Sequence, residues 1–485
     1  MRTSRWIAVL LAAMLLVAPL AANAQTGTWV SGITIQNQEA TPANITVTFY
    51  WAEGQGANSG QVAGTKTDTI PANQAVTYFI PDLILDSGSP LPDNFVGSAV
   101  VSSDQPVVAN VNTQVPTTSG TTPDNPNRVG TASGVLAPAA TLYFTQVEKN
   151  FWDWNSYLAV QNTSTFAANV TVRYYNSTDG SVVAGADQTL TIGPNATAIV
   201  RQEDANIPAP DPVGWAGSAV VSSTNGAMLA GVANFYNVGV NKDNAQFHSY
   251  NPFTGGATKL FVPRIVRDFY DYQGGLTVQN VGTAPTDATI RYFINGQTYT
   301  QTLSGIQPGS SRILYMPDVP ELAGVAGTGS AVIESSGQPI VAIINEDNRV
   351  GAVIFNHEGR GSTYNAILDG EQTNTVCFSQ ATAKFYAYSS GIQVQNVGTA
   401  AATVTAVWSA PGYADVTKSV TLGPNESVSW FAPDETGYVD FNGSVVVTAD
   451  QPIVGIANSS VRADIDDRFG QNYGDSFLTY NGVNR

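Results

Sequence analysis

The stretch Asn169-Val170-Thr171-Val172-Arg173-Tyr174-Tyr175 decides the fold class. In an extended chain successive side chains point to opposite faces, so Val170, Val172 and Tyr174 share one face and Thr171 and Arg173 the other. The run Asn44-Ile45-Thr46-Val47-Thr48-Phe49-Tyr50 alternates in the same way through Ile45, Val47 and Phe49. Such runs recur about every 8–14 residues, with Gly, Pro and Asn between them, and no stretch after the N-terminal leader holds a helical period with caps. The pattern predicts an all-β chain whose strands each bury one face, packed as sandwiches.

The alternating strands belong to a repeated unit. A strand-like run ends in Gln-Asn four times, at Ile33–Asn37, Leu158–Asn162, Leu276–Asn280 and Ile392–Asn396, and the aromatics Trp29, Trp154, Tyr272 and Tyr388 precede these runs. A Gly-Ser run follows in each copy at Gly97, Gly217, Gly329 and Gly443, and between the two lies a turn at Pro71-Ala72-Asn73, Gly193-Pro194-Asn195, Gln307-Pro308-Gly309 or Gly423-Pro424-Asn425. Tyr-Asn closes copies 2 to 4, at Tyr250-Asn251, Tyr364-Asn365 and Tyr480-Asn481, and copy 1 lacks it. About 110 residues per copy suffice to bury one core. The predicted organisation is a leader at 1–24 followed by sandwich repeats at 25–139, 140–257, 258–373 and 374–485. Four such units end to end predict a rod on the order of 150 Å long.

Each junction carries one more strand, Leu142–Val147, Leu260–Val266 and Val376–Gln380, followed by the clusters Lys149-Asn150-Phe151-Trp152, Arg267-Asp268-Phe269-Tyr270 and Lys384-Phe385-Tyr386. This strand occurs three times and the rest of the unit four times. One terminal copy, the first or the last, is therefore expected to lack a strand. The resulting edge is either tolerated or pairs with a neighbour, as unpaired edges do.

The N-terminus reads as a secretory signal. Arg2 and Arg5 flank its start, an apolar run extends from Trp6 to about Leu20, and Ala22-Asn23-Ala24 supplies a small-x-small cleavage site. The run is shorter than the roughly 20 residues of a membrane span, no second run of that length follows, and the C-terminus shows no hydrophobic tail. The expected location is extracellular or at the cell surface, with no transmembrane segment in the mature chain. The net charge is −17, and loss of Arg2 and Arg5 makes it more negative. An acidic chain is a poor ligand for phosphate backbones and anionic lipid, so nucleic acid is excluded as the expected partner. A single cysteine, Cys377, precludes an intrachain disulfide.

Candidate chemistry is sparse. His248 and His357 are the only histidines, neither recurs between copies, and no Gly-x-Ser-x-Gly elbow or phosphate-cradling loop is present. Cys377 falls on an apolar strand position and reads as a buried thiol. The reading is of a protein that is not an enzyme and needs no cofactor, apart from a candidate calcium site. Asp/Asn-rich loops lie late in every copy, and Asp464, Asp466 and Asp467, with Asp475 nearby, form the densest cluster of hard oxygen ligands. For ligand binding the candidates are Trp152, Trp154, Tyr270 and Tyr272, whose rings could stack on sugars or pack the joints.

The order VQN, alternating strand, Pro-Asn or Pro-Gly turn and GSAVVSS strand resembles that of repetitive secreted bacterial surface proteins. Those carry tandem immunoglobulin-like or fibronectin-like β-sandwich repeats. The resemblance covers nearly all of the mature chain and implies a surface, matrix or adhesion setting; it brings no catalytic residues. The expectation is four tandem immunoglobulin-like β-sandwich domains after a cleaved signal peptide, acting as a non-enzymatic structural or adhesive rod. Its partners would be a cell-surface or matrix polymer, or a second molecule met through a terminal domain edge. A carbohydrate-binding surface protein is the alternative.

Overall fold

A computed structural model of the chain describes residues 11–15, 29–115, 128–237, 246–348, 359–462, 465, 466, 468 and 475–485. The described chain is all-β apart from short 3-10 turns and one helix, Ala432–Thr436. No helix is long and apolar enough to cross a membrane.

Copy 2 shows the plan. One antiparallel sheet runs Gln188–Ile192, Ala168–Asn176, Trp215–Ser223, Thr141–Lys149; the other runs Thr197–Arg201, Trp154–Asn162, Leu229–Asn237, Phe247–Tyr250. Val170, Val172 and Tyr174 are buried between the sheets with Phe144, Leu158, Val160, Ala219 and Val221, while Asn169 and Arg173 are exposed, as the alternation requires. Burying each large apolar side chain stabilises by about 1.5–3 kcal/mol. Copies 1, 3 and 4 repeat this strand order around their own cores. In copy 4 the Gly-Ser strand and its successor merge into one long strand, Phe441–Val461, which serves both sheets.

The Gln-Asn block has a structural cause. The fully buried amide of Asn162 donates to the carbonyls of Phe166, Ile192 and Gly193 at 2.7–3.1 Å and accepts from Ser164 N at 2.9 Å. Asn37 and Asn396 each repeat this set of bonds with their own loops, and Asn280 holds the carbonyls of Ala284 and Ile306 and the N–H of Gly282. One side chain thus ties the end of its strand to the two connections beside it.

The preceding Gln works between copies. Gln161 Nε2 donates to Ser98 Oγ of copy 1 at 2.8 Å. Ser218 of copy 2 and Gln279 of copy 3 converge on the Gly309 carbonyl, at 2.6 and 2.9 Å. Ser330 of copy 3 and Gln395 of copy 4 converge on the Asn425 carbonyl, at 2.5 and 3.4 Å. Three of the repeated sequence blocks therefore meet at each of these three joints.

The copies do not lie end to end. The closing strands Arg128–Ser133, Phe247–Tyr250, Gly361–Asn365 and Leu478–Asn481 pack each on the next, and the last packs on the first. Asn251 Nδ2 donates to Ser133 O at 2.8 Å, Asn365 Nδ2 to Asn251 O at 2.7 Å, and Asn481 Nδ2 to Asn365 O at 2.6 Å. Copy 4 also bonds to copy 1 through Ser379–Asn110 at 3.0 Å and Asn112–Gln380 at 3.3 Å, and Arg485 pairs with Glu39 at 3.5 Å. The expected rod is therefore corrected to a closed ring of four copies. At the joint between copies 4 and 1, Thr34, Asn73, Ser379 and Ser444 line a cleft of about 330 Å³.

The missing strand belongs to copy 1. In copies 2, 3 and 4 the junction strands Thr141–Lys149, Lys259–Arg267 and Thr373–Ala383 pair with the Gly-Ser strand. In copy 1 that place, on Gly97–Ser103, is taken by Leu11–Leu15, near the N-terminus.

Two measurements test this architecture. Scattering from residues 25–485 should give a radius of gyration of about 23 Å, against more than about 40 Å for a rod. Asn280→Ala should lower unfolding stability in urea by about 2–4 kcal/mol, and Asn280→Asp by more, because an oxygen would then face carbonyl oxygens.

Candidate functional site at the hairpin end of the ring

Three two-residue hairpins join the junction strands to the Gln-Asn strands. Phe151 and Trp154 exchange backbone hydrogen bonds at 2.8 and 2.9 Å, as do Phe269 with Tyr272 and Phe385 with Tyr388. The central residues all have positive φ: Trp152 49° and Asp153 69°, Tyr270 50° and Asp271 65°, Tyr386 47° and Ala387 64°. Such a turn matches the twist of its strands but favours Asn-Gly, since Cβ crowds the following carbonyl oxygen in this region and Gly and Asn reach it most readily. An aromatic in its first position costs about 1–2 kcal/mol. It also aims the ring outward: Trp152, Tyr270 and Tyr386 are 55%, 55% and 65% exposed. They occupy equivalent places in three copies, hence one end of the ring.

The second aromatic of each pair does something else. Trp154 is buried and packs edge-on against His248 with ring centroids 4.8 Å apart. Tyr272 packs on Phe477 of copy 4 at 5.3 Å, and burial pushes its hydroxyl up to about 12. Trp29 packs on Phe247 of copy 2 at 4.7 Å. Of the four aromatic candidates, the structure therefore presents Trp152 and Tyr270 to solvent and places Trp154 and Tyr272 in the packing around the central strands. Tyr386 was the omission; its signal is the Lys384-Phe385-Tyr386 cluster at the third junction.

The acidic candidates separate as well. Asp464 and Asp467 lie outside the described residues. Asp466 is bound by Arg468, with Nε at 2.7 Å, which holds its carboxyl below the usual range, and Arg468 also reaches Asp440 at 3.0 Å. Asp475 is fully buried. Its carboxylate accepts Phe247 N of copy 2 at 3.1 Å, Gly361 N of copy 3 at 3.1 Å and Phe477 N of its own copy at 3.0 Å. Burial pushes this carboxyl well above the usual range against those donors and Arg360. Among the described residues, no group of three or more His, Cys, Asp or Glu is placed to hold a metal ion.

Other chemistry-bearing residues are engaged structurally. His248 Nδ1 lies 3.2 Å from Thr363 Oγ1 of copy 3, and burial raises the Cys377 thiol in its junction strand. His357 lies outside the described residues. A buried ion pair that sequence reasoning missed, Arg264–Glu346, is bidentate at 2.6 and 2.9 Å. Only the fold brings these two positions together.

No known protein family matches the chain, and none of the curated proteins matches it. Among solved structures it is similar to Thermotoga maritima 1070, at 13% identity over 23% of this chain and 95% of that one, with a TM-score of 0.21. The Anabaena sensory rhodopsin transducer is 15% identical over 17% of this chain and 90% of its own, with a TM-score of 0.15. A tetra-tandem repeat from the extending region of a large adhesion protein is 12% identical over 98% of this chain and 99% of its own, with a TM-score of 0.10. At these TM-scores the likenesses assign neither topology nor role.

Asp475→Ala would leave the N–H groups of Phe247 and Gly361 buried without acceptors. It should destabilise the protein by about 2–5 kcal/mol in thermal or urea unfolding, equally in calcium and in EDTA.

Proposed function

We propose that this is a secreted, non-enzymatic structural or adhesive protein, built from four tandem immunoglobulin-like β-sandwich domains after a cleaved signal peptide. The observation that carries this reading is how the repeated residues are used. The Gln, Ser and turn carbonyls hold copy to copy, the Asn amides hold each copy together, and the closing Tyr-Asn pairs hold the central strands. What the sequence repeats is spent on assembling a rigid platform. The buried Asp475, His248 and Cys377 serve the same platform, which supports a role without catalysis. A calcium ion at Asp464, Asp466 and Asp467 remains part of the proposal.

A specific observation favours carbohydrate as the partner. A ring kept outward three times in a strained backbone offers a face for contact, although Tyr270 and Tyr386 also pack edge-on against Phe269 and Phe385. Flat aromatic faces beside Asp153 and Asp271 suit sugars, which offer apolar C–H faces and hydroxyl donors. Three such rings on one end would engage a polymer at several points and gain from multivalency.

The test is retention of the mature protein on cell-wall or matrix polysaccharide by affinity electrophoresis. The combined variant Trp152→Asn, Tyr270→Asn, Tyr386→Asn should lose retention by about tenfold or more. Its melting temperature should change little, because Asn accepts the turn conformation while the edge contacts with Phe269 and Phe385 are lost. Undiminished retention would overturn the aromatic site. Adherence without polysaccharide retention would leave the structural reading with a protein partner.

A further inference from the structure

We infer that loss of the leader opens a strand-acceptor groove along Gly97–Ser103, and that its occupant is one extended, apolar-alternating segment of a partner protein. This rests on the secretory reading of the N-terminus.

The slot is defined by its three relatives. In copy 2 the junction strand sets Leu142 opposite Val221, Phe144 opposite Ala219 and Val147 opposite Gly217. In copy 1 the leader sets Leu11 opposite Val101, Ala13 opposite Ala99 and Leu15 opposite Gly97. The same three rungs are used, in the same antiparallel sense. Leu142, Phe144 and Val147 are all fully buried, so any occupant must bring apolar groups at alternate positions.

Copy 1 differs from the others in a way that fits a removable strand. Each resident junction strand contains a β-bulge, and a closing tyrosine clamps its backbone there. Tyr250 donates to Gln146 O at 2.6 Å and accepts from Gln146 N at 3.1 Å. Tyr364 does the same with Arg264, and Tyr480 with Gln380. Copy 1 has Ala132 at this place, and the leader pairs without a bulge. The copy that loses its strand on secretion is the one that has no clamp for it.

The surroundings decide the kind of occupant. The leader strand lies against Val107–Val115 of its own copy and also against Leu229–Asn237 of copy 2. The slot is therefore walled on its far side by the next copy. A single strand enters; the edge of a second folded molecule does not. Among the described residues the last strand, Val483–Asn484, is already paired with Thr373–Ala383 and is not free to fill the slot.

The experiment uses the full chain with a protease site inserted after Ala24, folded first and cleaved afterwards. The probe is a lysine-flanked synthetic peptide carrying Leu11–Leu15, followed by fluorescence anisotropy. The uncleaved chain should not bind it. The cleaved, leader-free chain should bind one peptide per molecule and regain the melting temperature of the uncleaved chain. A peptide with Ala13→Asp, which sets a carboxylate on the rung of Ala99, should bind at least about tenfold more weakly. Absence of peptide binding, with no change of melting temperature on cleavage, would overturn the groove. Dimerisation of the cleaved chain without peptide would overturn the partner assignment in favour of a second copy. Separately, the mass of the secreted natural protein reports on the leader: if residues 1–24 are retained, the secretory reading fails while the peptide result stands by itself.

Discussion

The carbonyls of Gly309 and Asn425 each accept two hydrogen bonds, one from a serine of the preceding copy and one from a glutamine of their own. The ring depends on such joints. A buried carbonyl, hydroxyl or amide without a partner costs far more than a made bond returns. The joint therefore works as a set: the turn must present its carbonyl, the Gly-Ser strand its hydroxyl, the Gln-Asn strand its amide. The glycine before the serine is part of the set as well. A Cβ on Gly217 or Gly329 would fall 2.0 or 1.9 Å from the carbonyl oxygen of Tyr175 or Phe293, on the neighbouring strand. The spacing of the blocks along the chain follows from the need to bring them to one place.

Much of this was legible in the sequence. Alternation at Val170, Val172 and Tyr174 depends only on the pleat, so it gave strand and buried face together. The Gln-Asn, Gly-Ser and Pro-Asn blocks were visible as repeats, and the absence of Tyr-Asn from copy 1 pointed to a structural role for that pair. The angle between copies was not legible. Periodicity identifies a unit but says nothing of how one unit's outer face meets the next, and the ring is set by contacts such as Trp29 on Phe247, some 200 residues apart in sequence.

Which candidate side chains face solvent was not legible for the same reason. Trp152 and Trp154 are two residues apart, and a continuous strand would put them on one face. A tight turn intervenes, so one ring is thrown into solvent and the other into the packing. Asp475 resembled its neighbours Asp464 to Asp467 in composition, yet its carboxylate faces three backbone N–H groups drawn from three copies. Composition marks a residue as a potential oxygen donor; only tertiary structure reveals what already occupies its oxygens.

That carboxylate has a genetic corollary. Were the ring assembled from four identical chains, every subunit would bring an aspartate to the same spot. Four like charges a few ångströms apart in a desolvated centre would repel far too strongly to ionise together. Joining the copies in one polypeptide releases each from its siblings' sequence. Copy 4 carries the acid beside Ser476, whose matching positions in the other copies are the buried Arg128, Gln246 and Arg360, and Arg360 faces the acid. Tandem duplication thus allowed the centre to become asymmetric, a composition that symmetric self-assembly forbids.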